Sequence, residues 1–225
     1  MLSLEHLASV VIFALIGFIL IRYARKQSKE KQYLIGNILA FSLAGMVILW
    51  TALKITDRGF ILDHDLPFHL CNFIALFLPF FSLTRKYLFY EILLFWILAG
   101  TTQALITPDI KDSFPNYHFI KYWFVHGGLV IFILYATLIY GMRPTWKSVI
   151  KSFIALQVYL LLMFLLNAFT GANYFYVNHK PESASLLDYF GEWPYYLFFT
   201  ELILLPYFFL IYLPFLLTAR RASKK

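Results

Sequence analysis

The sequence predicts an all-α fold: a polytopic membrane helical bundle of about seven transmembrane helices, N-terminus outside and C-terminus cytoplasmic. Three observations lead there. The 225 residues are 61% hydrophobic and only 14% charged, which is outside the range of soluble domains. The apolar residues fall in successive stretches of ~20, the length that crosses a bilayer as a helix. The 19 lysines and arginines gather at alternate breaks between those stretches, the asymmetry expected of membrane spans.

Residues 4–23 form the first span. No basic residue precedes it, no small-residue cleavage site follows it, and "RYARKQSKEKQ" comes at once, so it reads as an uncleaved anchor and not a signal peptide. The second span is 33–53. The third, 66–83, opens within "DHDLPFHLCNF" (63–73), where Asp63 and Asp65 are candidate helix caps. The fourth, 87–105, is interrupted by Glu91, placed near the cytoplasmic boundary within expected reach of Arg85 or Lys86. The fifth, 120–140, is interrupted by His126, and the sixth is 152–170. The seventh, 193–217, holds Pro206 and Pro214 and is expected to tilt, kink or end early, because proline removes a backbone donor. No repeat, linker or low-complexity tract divides the chain, so residues 1–225 are expected to form one domain.

Orientation follows from charge. Lys54, Arg58, Lys111, Lys121 and Lys180 fall on one side and the remaining 14 of the 19 lysines and arginines on the other, including the tail "ARRASKK". The richer side is cytoplasmic. The loops at 54–65, 106–119 and 171–192 are then outside, together with acids such as Asp109, Glu182 and Asp188. A net charge of +7 and a pI near 9.4 would suit nucleic acid, but the basic residues edge the membrane in several short loops. Anionic lipid headgroups are the expected partner and nucleic acid is not. The single cysteine excludes an internal disulfide framework. The expected location is a cell membrane, crossed several times, with the richer side in the cytoplasm.

Polar side chains inside spans are costly, so their depth is informative. At ~1.5 Å per residue, Cys71 lies roughly 8 Å below the start of the third span and His126 roughly 9 Å below the start of the fifth. His69 and Asn72 of the third span, Gln103 of the fourth, Asn167 of the sixth and Glu201 of the seventh fall in the same outer layer. This predicts one outward-opening cavity; the competing reading is a set of structural hydrogen bonds between helices. His69 and Cys71 are turned about 200° apart if the helix has already begun, so His126 is the better base for the thiol. An imidazole that takes the thiol proton leaves a nucleophilic thiolate, whereas an isolated buried thiol stays inert as small apolar filler. His64, His69, Asp63 and Asp65 match no strong ligand spacing, so neither metal nor cofactor is expected. The long outer loop at 170–197 is either a cover for the cavity or an interfacial anchor for the last span.

"DLPFHLCNF", the histidine in "WFVHGG", "TGANYFY" and "KPESASLLDYFGEWPYY" together resemble the YwaF-like family of bacterial integral membrane proteins, over most of the chain. Vertebrate relatives of that family are described as acyltransferases that remodel ether phospholipids. The resemblance implies a bundle of about seven spans and a catalytic cysteine and histidine falling on Cys71 and His126. The implied fold is also similar to that of the androgen-induced membrane hydrolases, which use a threonine nucleophile. The expected function is acyl transfer between membrane phospholipids, or lipid hydrolysis, with Gln103, Asn167 and Asn173 as candidate oxyanion donors. A transporter using the polar layer as its substrate or proton site, and a structural subunit with no site of its own, are the alternatives.

Overall fold

The computed structural model describes residues 3–181 and 185–222. Glu182, Lys224 and Lys225 lie outside the described residues, as do the side chains of Arg58, His64, Arg220 and Arg221. The fold is all-helical, with no strand among the described residues. The elements are α1 (Leu4–Ala24), α2 (Lys29–Arg58), the single turn α3 (Leu62–Asp65) and α4 (Leu70–Thr84). Then come α5 (Tyr87–Trp96), a π-helical turn (Ile97–Thr101) and α6 (Thr102–Ile106), stacked end to end, followed by α7 (Tyr117–Leu138), α8 (Trp146–Thr170) and α9 (Tyr195–Ala222). Short 3-10 turns at Tyr174–Tyr176 and Leu186–Phe190 sit in the loop between α8 and α9. Six helical segments are long and apolar enough to cross a membrane, and α4 is a shorter apolar seventh.

Several boundaries differ from the sequence expectation. Lys54 is not in a loop but in the last turns of α2, where it pairs with Asp65 at 3.4 Å. Six residues before position 152 already belong to α8, because Thr145 and Ser148 form a reciprocal capping box. Pro206 and Pro214 do not end α9, which runs through both to Ala222; a membrane helix tolerates proline when neighbouring groups satisfy the freed carbonyl. Beyond Pro214, Thr218 Oγ1 donates to Pro214 O at 3.0 Å, one turn back along the same helix. Glu91 reaches neither Arg85 nor Lys86. It is 2% exposed and accepts hydrogen bonds from Ser148 Oγ and Lys151 Nζ, both at 2.7 Å, which clips α5 to α8 near the end carrying the basic loops.

α7 is the central post, buried along most of its length against α1, α2, α4 and the π turn. Close approach there depends on absent side chains. A Cβ on Gly127 would stand 2.5 Å from the Phe13 ring of α1, and one on Gly128 would collide with Leu43 of α2. Small residues at such crossings let helices gain dispersion contact, the main attraction left between helices once lipid has replaced water. By contrast α1, α8 and α9 turn rows of exposed Leu, Ile and Phe outward, as a lipid-facing surface must.

The third span is the exception that shapes the site. α4 starts at Leu70, not at residue 66, and its 15 residues reach only ~22 Å against a hydrocarbon core of about 30 Å. Pro67 accounts for this: it disfavours helical backbone in the residue before it, and Leu66 is extended at φ −66°, ψ 136°. Neither Asp63 nor Asp65 caps α4, whose N-cap is His69 without a side-chain cap bond; Asp65 instead accepts from Ile61 N at 2.7 Å across the α3 turn.

Non-helical backbone at membrane depth must find partners within the protein. Two tyrosines supply them. Tyr174 hydroxyl accepts from Leu66 N at 3.0 Å and donates to Leu62 O at 2.8 Å, and Tyr159 hydroxyl donates to Phe68 O at 2.7 Å.

Candidate functional site

Because the helix begins after His69, the 200° separation expected between His69 and Cys71 does not arise. Both side chains line one cavity of about 630 Å³. Its walls come from the start of α4, the π turn and α6, the outer half of α7, the middle of α8, the α8–α9 loop and one face of α9. Asp109, His118, Lys121 and Tyr176 give it polar walls, while α8 and α9 contribute Leu156, Leu160, Leu204 and Phe208 together with the carboxylate of Glu201. The lining thus combines polar side chains with a larger apolar surface, as an amphiphile would require.

Cys71 is the chain's only cysteine and is free. Its Sγ lies 3.5 Å from Thr101 Oγ1. Thr101 is fully buried in the π turn, which widens the helix and displaces side chains from the regular register. No hydrogen bond joins Cys71 to His126 among the described residues. His126 uses Nδ1 against Tyr122 O at 2.7 Å. A carbonyl only accepts, so Nδ1 carries the proton and Nε2 holds the lone pair. The ring is 9% exposed, stacks on Tyr122 with centroids 4.1 Å apart and lines the cavity. A thiol and an imidazole with a defined basic nitrogen therefore share one wall system.

Of the other residues singled out in the sequence, Asn72, Gln103 and Glu201 also line the cavity. Asn72 Oδ1 accepts from Lys121 Nζ at 2.9 Å, Gln103 Nε2 donates to Thr107 Oγ1 at 3.0 Å, and Glu201 Oε2 accepts from Gln157 Nε2 at 2.7 Å. Asn167 and Asn173 are placed elsewhere. Asn167 is 1% exposed, and its amide forms a reciprocal pair with the Tyr174 backbone, Nδ2 to O and Oδ1 from N, both at 2.9 Å. Asn173 folds the loop on itself, accepting from Asn178 N at 2.9 Å and donating to His179 O at 2.8 Å.

These two asparagines act on the loop that walls the cavity. Phe175 and Tyr176 sit at positive φ, 62° and 55°, a region costly to residues with a Cβ and kept only where surroundings enforce it. Asn167 fixes the backbone just before them, and Tyr196 hydroxyl grips Tyr176 O at 2.6 Å just after. Held this way, Tyr176 reaches the cavity and donates to Asp109 Oδ2 at 3.0 Å. Burial pushes the Tyr176 phenol well above its ordinary pKa, and Asp109 adds to the rise, so it serves there as a neutral donor.

Four residues absent from the sequence-derived set complete the site. Thr101 had no signal, since a π turn is not written as a motif. Tyr122 and Tyr176 were hidden among 16 tyrosines. Lys121, counted with the outer loop charges, is instead 7% exposed inside α7. A signal for it exists: His118, Lys121, Tyr122 and His126 recur at helical spacing on one face of an otherwise apolar segment. Among the described residues no group of three or more His, Cys, Asp and Glu side chains could hold a metal ion.

The family model described as TMEM164 family matches residues 1–212. An uncharacterised protein of Treponema pallidum (strain Nichols) is 26% identical over 146 residues, 61% of this chain and 60% of the relative, so the matched stretch spans less than two thirds of that relative's length. No solved structure matches.

Proposed function

The chain belongs to the TMEM164 family, and from that premise we propose that this multi-pass membrane protein transfers acyl chains between phospholipids through Cys71 and His126. The observation that carries the reading is the shared cavity: the free thiol, the imidazole with its lone pair on Nε2, and apolar side chains suited to a fatty chain all line it. The resemblance to YwaF-like proteins and their ether-phospholipid acyltransferase relatives points to the same two residues.

In this mechanism His126 Nε2 accepts the Cys71 proton, and the thiolate attacks the ester carbonyl of a phospholipid. The carbon–oxygen ester bond breaks, the imidazolium returns its proton to the leaving lysophospholipid alkoxide, and the acyl group remains on sulfur as a thioester. A second lysophospholipid then gives its hydroxyl proton to His126 and attacks the thioester; the carbon–sulfur bond breaks and the thiolate is reprotonated. Water in place of the second lysolipid gives hydrolysis. Catalytic hydrogen bonds commonly tighten only with substrate in place, which accommodates a thiol that rests on Thr101. Gln103, reaching the cavity from α6, is the remaining oxyanion donor of the three expected; Asn167 and Asn173 support the cavity wall.

By the distribution of basic residues the polar walls of the cavity face outward. Acyl-CoA is cytoplasmic, so the donor is another phospholipid and no cofactor takes part. Purified protein in liposomes containing a radiolabelled acyl donor tests this: the wild type is expected to move label to an added lysophospholipid through a hydroxylamine-sensitive adduct, and Cys71→Ala to lose both. Transfer at the wild-type rate by Cys71→Ala would remove the mechanism.

A further inference from the structure

Lys121 is the least explained charge in the molecule. The residue is 7% exposed and lines the cavity, and its ammonium donates to Asn72 Oδ1 at 2.9 Å. No carboxylate pairs with it among the described residues, and Asp65 is taken up by another cation, Lys54, at 3.4 Å. A buried ammonium with one neutral acceptor is expensive to hold and leaves two N–H donors unused. Such a site is complete only when an anion enters it.

We propose that Lys121, with Asn72 as its anchor, is the binding site for the phosphate of a glycerophospholipid occupying the cavity. The proposal rests on the acyl-transfer reading for the lipid's orientation, but the site would exist without the chemistry. The geometry points to headgroup phosphate on three counts. Lys121 lines the cavity together with Asp109, His118 and Tyr176, and apolar side chains of α8 and α9 line it as well, so a lipid is oriented with its charge at Lys121 and its tails against α8 and α9. Lys121 and His126 are five residues apart on α7, ~7.5 Å along the axis. Only the glycerol unit separates a lipid's phosphate from its ester carbonyls, so phosphate on Lys121 places an ester beside Cys71 and His126. Asn72, next to Cys71 in sequence, holds the ammonium at the thiol's end of the cavity, and so fixes headgroup and reactive bond relative to one another.

The test uses full-length Cys71→Ser protein in a neutral maltoside detergent, so that binding is read without turnover, from quenching of the cavity-lining Trp96. Three probes are titrated: dihexanoylphosphatidylcholine, dihexanoylglycerol with the same esters and no phosphate, and inorganic phosphate. The phospholipid is expected to bind roughly 10- to 100-fold more tightly than the diacylglycerol, the range for charge-assisted hydrogen bonds. Lys121→Met should abolish that preference while leaving diacylglycerol binding unchanged, and Lys121→Arg should retain it. Asn72→Asp, which gives the ammonium a carboxylate partner, should also abolish it in a protein at least as stable, which guards against misfolding as the cause. A preference that survives both Lys121→Met and Asn72→Asp overturns the assignment. Inorganic phosphate binding as tightly as the lipid would make this a free-anion site and overturn the headgroup role. If the preference depends on Lys121 but the Cys71 protein forms no thioester, the phosphate site stands and only the acyl-transfer reading falls.

Discussion

Replacing Asn167 by leucine separates two roles that the residue could have in a polar membrane layer. Leucine keeps the branching and heavy-atom count of asparagine with bulkier methyl groups, so the substitution opens no space, but it deletes both partners of the Tyr174 backbone, Nδ2 to O and Oδ1 from N, each at 2.9 Å. Tyr174 is fully buried, so its amide and carbonyl would have no water to turn to. An unsatisfied buried group costs about 1–3 kcal/mol, which gives about 2–6 kcal/mol for the pair. A folded unit of this size loses ~2–4 °C per kcal/mol, so the melting midpoint should fall by roughly 5–20 °C. The damage should spread along the chain of contacts: Tyr174 hydroxyl bridges Leu62 O and Leu66 N, the backbone just ahead of α4. Thermal unfolding in detergent, followed by circular dichroism, gives the midpoint, and the rate of Cys71 alkylation by a bilayer-permeant maleimide reports whether the start of α4 has loosened. Both should move. An unchanged midpoint with altered lipid binding alone would refute this reasoning and return Asn167 to the role of a ligand-binding side chain.

Gly127→Ala forces a methyl toward the Phe13 ring, 2.5 Å from the new carbon, and is expected to cost about 1–3 kcal/mol by prising α1 from α7; thermal midpoints should show the loss, and Phe13→Ala in the same chain should restore part of it. Thr101→Val keeps the shape of the π turn but removes the hydroxyl 3.5 Å from Cys71 Sγ. A few-fold slower thiol alkylation with little change in midpoint is expected, since a hydrogen bond that stabilises thiolate affects reactivity more than folding; an unchanged alkylation rate would show that the hydroxyl does not assist the sulfur.

The parts of the site legible in the sequence are those carried by composition. Cys71 and His126 stand out because ionisable or nucleophilic side chains are rare in apolar segments, and Glu201 and Gln103 stand out for the same reason. Their common depth follows from helical rise alone, so a shared cavity could be expected before any helix was placed. The side chains misjudged are those whose roles depend on rotation and partners. Asn167 lies in the outer layer like the others, yet its amide is consumed by a loop that folds back over α8. Lys121, at the first turn of the expected fifth span, reads from the sequence as one more charge of the outer side, yet packing around α7 buries it. Glu91 finds Lys151, 60 positions away, where sequence proximity suggested Arg85 or Lys86.

By itself the sequence determined that this is a membrane bundle of helices, because every backbone group inside lipid must be paired and unbroken apolar stretches of ~20 residues satisfy that as helices, not as the shorter alternating strands of a barrel. The expected third span, 66–83, runs through Pro67, and the structure is what starts its helix only at Leu70. The tertiary structure alone decided what surrounds the thiol. Which face of a helix meets which neighbour is set by packing between distant segments: glycine gaps in α7, two tyrosine hydroxyls satisfying a broken span, and a π turn that delivers Thr101 to Cys71. These are interactions between residues far apart along the chain, so no local pattern encodes them.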